Sequence, residues 1–137
     1  MSKKPTATGV SQHTARIREL NDQFRTTLAG GGALLVTAGI AALGPEAYVR
    51  IIDAVCAFDA FDTGNDPWGE HDFGALTVDG QRVFFKFEYY DLERAMHSAD
   101  PADPAVTERV LTPGIIVGVE RIEGANGVDD AHGGLGA

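Results

Sequence analysis

Cysteine is nearly absent from this sequence of 137 residues, in which Cys56 is the single example. One thiol cannot form an intramolecular disulfide, so a disulfide-built secreted module is excluded and a reducing, cytoplasmic environment is expected. Cys56 follows Ile51, Ile52 and Val55. A buried core thiol is the simplest interpretation of that setting.

Long apolar runs and a targeting segment are missing as well. Lys3 and Lys4 are not followed by an apolar stretch, so no signal peptide is expected. The apolar stretch from residue 33 to 43 is interrupted by Thr37 and Gly39 and is far shorter than the roughly twenty residues that cross a membrane. We therefore expect a soluble, cytoplasmic protein without a membrane partner.

Basic residues are scarce: 11 Lys and Arg stand against 20 Asp and Glu, for a formal charge of -9. Between residues 46 and 79, Arg50 alone offsets eight carboxylates. Such a surface repels the phosphates of nucleic acid and attracts basic protein faces, so direct DNA binding is not expected. Acidity that only keeps the protein soluble is the alternative interpretation.

The length and patterning predict one α+β domain. A helix over about 11–28 is expected to end at the glycines 30–32, with its charged residues, including Arg25, away from the apolar face. A second helix over about 45–58 opens with Pro45. The apolar residues of the first helix recur at helical spacing: Ile17, Leu20, Phe24 and Leu28.

The sheet is predicted to be small and antiparallel, with a strand near 33–37 and a hairpin over about 71–90. Asp79-Gly80 is a strong two-residue turn signal. With that turn, the numbers of paired residues add up to about 159, so Gly74 faces Phe85 and leaves room for its ring. The core face is expected to carry Val83, Phe85, Phe87 and Tyr89.

The segment after the hairpin is predicted to form a short helix from Asp103 to Leu111, ended by Pro113-Gly114, and then a strand over 115–119. Residues 1–12 are predicted to be disordered, residues 13–123 to form the domain, and residues 124–137 to be a flexible acidic, glycine-rich tail.

The segment Asn65-Asp66-Pro67-Trp68-Gly69-Glu70-His71-Asp72-Phe73-Gly74 concentrates the polar chemistry. An EF-hand loop beginning at Asp62 is excluded, because its sixth position is Pro67 and its twelfth is Phe73. Glu70, His71 and Asp72 on one strand would alternate between faces, which disfavours zinc. We predict no metal and no cofactor.

Catalysis is the weaker of two uses for these residues. The register predicts a cross-strand pair between His71 and Glu88, which would hold the imidazole as a general base is held. Ordinary charge pairs across a solvent-facing hairpin have the same appearance. No Ser or Cys lies in an elbow motif. A small metal-dependent or acid–base hydrolase using Glu70, His71 and Asp72 remains the alternative.

Recognition is the favoured use. The second face of the hairpin would display rings among charges, unless the helices cover it or a homodimer uses it. Trp68 is either a lid over the core edge or a platform for a ligand. The residues predicted to contact a partner are Asp59, Asp62, Asp66, Trp68, Glu70, His71, Asp72, Phe73, Phe84, Lys86, Glu88 and Tyr90.

Four blocks of the sequence carry a family resemblance: the helix from Ile17 to Phe24, the segment LLVTAGIAALGPE, the run from Asn65 to Asp91, and DPADPAVTERVLT from Asp100 to Thr112. Together they resemble domain-of-unknown-function family 3768 over residues 15–112. The family implies no activity, but its members are typical of proteobacterial plasmids and mobile elements, near antirestriction-type genes. The resemblance also implies a final helix that continues beyond Thr112, which Pro113-Gly114 would break here.

Composition and resemblance together favour a non-enzymatic, acidic protein-binding module. The expected role is that of a mobile-element anti-defence inhibitor, of the anti-CRISPR or antirestriction type. Its expected partner is a host protein or ribonucleoprotein complex with a basic surface.

Overall fold

A computed structural model describes residues 11–116 and shows the α+β fold that the sequence predicts, with a four-stranded sheet that is mostly antiparallel. The strand order is β1-β4-β3-β2, in which only the β1–β4 pair is parallel. The elements are α1 (Gln12–Thr27), β1 (Ala33–Leu34), α2 (Ala38–Ala41), α3 (Pro45–Ala57), β2 (Phe73–Val78), β3 (Gln81–Tyr90) and β4 (Glu108–Ile115).

Both main helices begin and end where local signals place them. The Ser11 hydroxyl accepts a hydrogen bond from the Thr14 N–H at 3.0 Å and caps α1. Leu28, with φ of 54°, ends it. Pro45 occupies the first turn of α3, where its missing N–H has no helical partner. The two predicted helices are therefore confirmed to within a residue or two.

The β2–β3 hairpin has the predicted turn and register. Asp79 and Gly80 have φ values of 54° and 78°, as a type I′ turn requires. Pairing runs from Val78 opposite Gln81 to Phe73 opposite Lys86. A Cβ on Gly74 would overlap the ring of Phe85, which confirms the packing reason for that glycine.

The segment around Pro113 corrects two predictions. The helix predicted from Asp103 to Leu111 is wrong: only a turn forms there, and β4 runs from Glu108 to Ile115 between β1 and β3. Pro113 fits in this inner strand because odd-numbered residues of β4 direct their backbone groups toward β1, which ends before reaching it. Its carbonyl accepts a hydrogen bond from the Thr37 hydroxyl at 3.1 Å.

A single hydrophobic core joins the helices to one face of the sheet. The strand predicted near 33–37 is confined to β1, which runs parallel to β4. The central cluster comprises Phe24, Ile40, Ile51, Val55, Val83, Phe85, Phe87, Leu111 and Ile115. The helices therefore pack on the predicted core face of the hairpin, and the face that carries Phe84, Lys86 and Glu88 is directed away from them.

The predictions at the two ends fall mostly beyond the described residues. Ser11 and Gln12, which were placed in a disordered segment, form the start of α1. Residues 1–10 and 117–137, with the predicted tail and most of the predicted strand over 115–119, lie outside residues 11–116. Within the described range, no helix is both long and apolar enough to span a bilayer.

Candidate partner-binding site

The segment from Asp59 to Asp72, here termed the signature loop, is fixed by its own short polar side chains. The Asp62 carboxylate accepts hydrogen bonds from the N–H groups of Gly64 (2.8 Å) and Asn65 (3.0 Å). Asn65 accepts from the Asp62 N–H and donates to the Ala60 carbonyl at 2.9 Å. These are the turns that Asp and Asn form readily, and they give the loop one shape.

Asp66 and His71 close the second half of the loop. The buried Asp66 carboxylate accepts from the His71 N–H at 3.0 Å. His71 has φ of 56° and lies before β2, so it is not part of the strand ladder. The predicted pair between His71 and Glu88 is therefore wrong. Glu88 instead accepts from the Tyr90 hydroxyl at 2.9 Å.

The His71 ring is held by residues far away in sequence. Its Nδ1 lies 2.9 and 3.0 Å from the two carboxylate oxygens of Asp22 on α1. Its ring stacks on Phe61 with 3.8 Å between centroids and an interplanar angle of 4°. Its Nε2 is 3.6 Å from Asp66, too far for a hydrogen bond. The imidazole is thus fixed in both position and orientation.

Arg25 joins α1 to the end of α3, and its guanidinium lies 5.2 Å from the ring centroid of Phe61 in the signature loop. Its Nη1 donates to the carbonyls of Val55 (2.9 Å), Cys56 (3.3 Å) and Phe58 (2.8 Å), and its Nη2 to Asp22 at 3.2 Å. The last carbonyls of a helix have no partner within it, and a cation satisfies them well. The expectation that Arg25 lies away from the buried face is wrong: it is buried, because α3 ends against it.

A buried hydrogen-bond chain anchors the far end of the loop. Asn21 is 0% exposed; its carbonyl accepts from Arg109 Nε and its amide donates to the Tyr89 hydroxyl (2.8 Å) and to the Glu70 carbonyl (3.0 Å). The Tyr89 hydroxyl donates to the Glu70 carboxylate at 2.9 Å. Burial raises the pKa of Glu70, Asp72 and Tyr89, and lowers that of Arg109.

A pocket of about 610 Å³ opens beside this loop. The indole of Trp68 at its edge is 74% exposed, so Trp68 is not a lid over the core. The walls combine the rings of Phe61 and His71 with the carboxylates of Asp62 and Asp66. Ser11 and Thr14, at the start of α1, close the other side. An acidic, aromatic pocket with a projecting tryptophan suits a cationic or basic group.

The predicted contact residues fall in two places. Asp59, Asp62, Asp66, Trp68, Glu70, His71 and Asp72 belong to the signature loop; Phe73, Phe84, Lys86, Glu88 and Tyr90 lie on the sheet face opposite the helices. Phe73 is 39% exposed and stacks on Phe84, but Phe84 itself is only 5% exposed. The prediction that Phe84 displays its ring is wrong, and buried Asp66 is a structural acceptor.

The described part of the chain contains no group of side chains arranged to bind a metal ion. Among residues 11–116, no three His, Cys, Asp or Glu side chains are grouped so as to hold an ion. The three consecutive residues Glu70, His71 and Asp72 have separate surroundings: Glu70 contacts Tyr89, His71 contacts Asp22, and the Asp72 carbonyl accepts from the Phe87 N–H.

Sequence reasoning missed the residues that hold the loop, namely Asn21, Asp22, Arg25 and Phe61. The spacing of Asn21, Asp22 and Arg25 places them near one another on α1, but polar residues on an amphipathic helix ordinarily face water. Nothing local marks them as buried. Phe61 lies in an acidic stretch that was interpreted as a solvated surface. Its stacking on the His71 ring was therefore not predicted.

The fold and site define a small α+β protein with a rigid, tryptophan-bearing loop. Residues 36–117 match the family described as "Protein of unknown function (DUF3768)", and the chain belongs to this family. The match continues through Pro113-Gly114, where the resemblance had implied a broken helix and the structure has β4. It begins after α1, so Asn21, Asp22 and Arg25 lie outside it. Comparison with curated proteins and with solved structures found no match.

Proposed function

We propose that this protein is a non-enzymatic, acidic protein-binding module that contacts its partner through the Trp68 pocket. The observation that carries the proposal is a largely exposed indole on a loop whose backbone is fixed by internal hydrogen bonds. A rigid, exposed aromatic side chain loses little entropy on binding, which is why tryptophan is enriched among residues that dominate interfaces.

The charge around the pocket indicates the chemistry of the partner. Asp62 is exposed and lines the pocket with Trp68, Asp59 is exposed at the start of the same loop, and Arg50 is the only Lys or Arg between residues 46 and 79. Carboxylates steer basic surfaces toward the site, and the rings of Trp68 and Phe61 can receive a lysine or arginine side chain. A basic protein surface fits this site, whereas a nucleic acid phosphate does not.

The finer proposal concerns the biological partner. A basic surface on a host protein or ribonucleoprotein normally receives nucleic acid, and an acidic module can compete for it. Together with the family's implied association with mobile elements, this supports an anti-defence inhibitor of the anti-CRISPR or antirestriction type. Lys86, Glu88 and Tyr90 remain a second proposed contact area, on the sheet face opposite the helices.

Trp68 provides the test, because it is the only tryptophan of the chain and its fluorescence reports binding directly. We expect its emission to change on titration with purified restriction or CRISPR effector complexes, and nucleic acid to reverse the change. Trp68→Ala is expected to abolish co-elution with the complex, and higher salt to weaken it. Met96→Ala is the matched control, since Met96 is 71% exposed outside the pocket. Absence of binding across the panel would refute the finer proposal.

A hydrolase is the second candidate, and one observation favours it. Asp22 orients the imidazole of His71 at the wall of the pocket, as a carboxylate orients a catalytic histidine. Hydrolysis of ester or phosphoester substrates that is abolished by His71→Gln and retained by Trp68→Ala would replace the binding proposal with this one. Loss of a stoichiometric metal ion in His71→Ala would do the same.

A further inference from the structure

The edge strand β2 has backbone groups that point away from the sheet, and its pairing with β3 determines which ones they are. In the described residues β2 is an edge strand, paired on one side with β3. The Phe87 N–H donates to the Asp72 carbonyl at 2.9 Å, so even-numbered residues of this strand bond to β3. The N–H and C=O groups of Phe73, Ala75 and Thr77 consequently point outward, away from the sheet.

This edge carries none of the devices that usually prevent strand pairing. Residues 73–78 contain no charged residue, no proline and no bulge. Leu76 and Val78 are only partly buried, and Phe73 is more exposed still. The chain has a formal charge of -9, but these six residues are uncharged, so a second copy can pair along them without facing charges within the strand.

We propose that two copies of this chain pair through β2, antiparallel, about a twofold axis at Ala75. The numbers of facing residues then add up to about 150: Ala75 faces Ala75 of the second copy, and Phe73 faces Thr77 of the second copy. All three pairs formed by residues 73, 75 and 77 join outward-pointing groups, which gives about six hydrogen bonds. The result is a continuous eight-stranded sheet.

The charges near the ends of β2 favour a second copy of this chain, and not a strand of another protein, as the pairing partner. The pairing places Val78 opposite Asp72 of the second copy. Arg50, exposed and paired with Asp79 just beyond Val78, then lies at the same end as that acidic residue. The symmetry repeats the favourable contact at the other end. A strand from another protein would have to supply this complementarity independently.

The register is tested by cysteine cross-linking in a Cys56→Ser background. Ala75→Cys is expected to give a covalent dimer under mild oxidation, because facing residues of a hydrogen-bonded pair have Cα atoms about 5.5 Å apart, within reach of a disulfide. Thr77→Cys is the matched control. The Cα atoms of residue 77 in the two chains would be about 14 Å apart, so this variant should form no covalent dimer. Phe73→Cys combined with Thr77→Cys is expected to cross-link again.

Oligomeric state gives the second measurement. Light scattering on the unmodified chain from about 1 μM to about 1 mM is expected to show a rise from the monomer mass of 14.5 kDa toward twice that value. Ala75→Pro removes an outward N–H and is expected to keep the chain monomeric; if it does not fold, Ala75→Asp serves, because it places two carboxylates together on the axis. Trp68→Ala is expected to dimerise normally.

Three outcomes would overturn the proposal. They are a monomer throughout the concentration range, equal cross-linking of Ala75→Cys and Thr77→Cys, and a dimer that Ala75→Asp leaves unchanged. None of them bears on binding at the Trp68 pocket, so this inference and the proposed function can fail separately.

Discussion

The β2–β3 hairpin and the signature loop adjoin in sequence and are stabilised in opposite ways. The hairpin rests on a two-residue turn and alternating apolar side chains, and its pairs range from Val78–Gln81 to Phe73–Lys86, all close together in sequence. The signature loop is held by Asn21 and Asp22 of α1, each 49 positions before its partner, and Arg25 holds the end of α3 that leads into the loop. One is a local structure, and the other exists only when the tertiary fold is complete.

Hydrogen bonds account for many of the polar residues in the signature loop. Its groups bond to one another or to side chains of α1 and β3, and the imidazole is held by Asp22 and Phe61. What the loop presents outward is the indole of Trp68. These polar contacts hold in place the loop that carries Trp68, and variants that loosen the loop should differ in kind from variants that loosen the hairpin.

The largest effect is expected from Arg25→Ala, which removes four hydrogen bonds from a buried side chain. The carbonyls that end α3 lose their donor and a cavity remains, so the free energy of unfolding should fall by about 3–5 kcal/mol. Urea unfolding measures this, and hydrogen exchange should locate the loss at the end of α3 and around Phe61. Exposed Arg82→Ala is the control, expected within about 0.5 kcal/mol of the parent. A loss below about 1 kcal/mol for Arg25→Ala would show that Arg25 does not hold the end of α3.

Gly74→Ala tests the hairpin in the same way. The added methyl would overlap the rings of Phe85 and Phe58, so we expect a destabilisation of about 1–3 kcal/mol, with faster hydrogen exchange across β2 and β3. Gly64→Ala is the control within the signature loop. A Cβ there meets only Asp62, at 3.3 Å. Equal effects of the two substitutions would contradict the packing argument.

Tyr89→Phe tests the link between the two regions, because its hydroxyl connects β3 to both Asn21 and Glu70. Removing it leaves buried groups with one partner fewer, and a loss of about 1 kcal/mol is expected from thermal or urea unfolding. Tyr90→Phe is the matched control, since the Tyr90 hydroxyl bonds only the accessible Glu88 and its removal should change stability by less than about 0.5 kcal/mol.

The smallest effect concerns pH. Burial raises the folded-state pKa of Glu70 above its ordinary value of 4.5. The folded chain therefore keeps this proton to higher pH than the unfolded chain, so the stabilisation is complete below about pH 4.5 and is lost as pH rises through the folded pKa. The free energy of unfolding of Glu70→Gln should equal that of the parent at pH 4 and exceed it at pH 7. The difference at pH 7 should be less than about 1 kcal/mol, because water reaches the half-buried carboxyl and screens its charge.

Asp100 is expected to have the opposite effect from Glu70 on how stability depends on pH. The hydrogen bond from His13 lowers the pKa of Asp100, so its contribution is present above its ordinary pKa and is lost as pH falls. Asp100→Asn should therefore lower stability at pH 7, where Glu70→Gln raises it. Melting temperatures measured from pH 4 to 8 compare the two, and the same sign for both substitutions would contradict the assigned causes.

The fold was predictable wherever the information was local. The apolar spacing in α1, Pro45 at the start of α3 and Asp79-Gly80 in the hairpin each determine an element within a few residues. The prediction failed at β4 because Asp103-Pro104 resembles a helix start, whereas burial on both sides of an inner strand decides the conformation of residues 108–115. A proline in that strand is acceptable only because β1 is two residues long.

The sequence by itself determined the acidic charge, the boundaries of α1 and α3, the hairpin register and the existence of an unusual polar segment. The tertiary structure alone decided that Arg25 is buried, that His71 faces Asp22 and not Glu88, and that Trp68 is left in solvent. The physical reason is that hydrogen bonds and burial depend on which groups meet in space. Contacts between residues 30 to 50 positions apart produce no periodic pattern in the sequence from which they could be predicted.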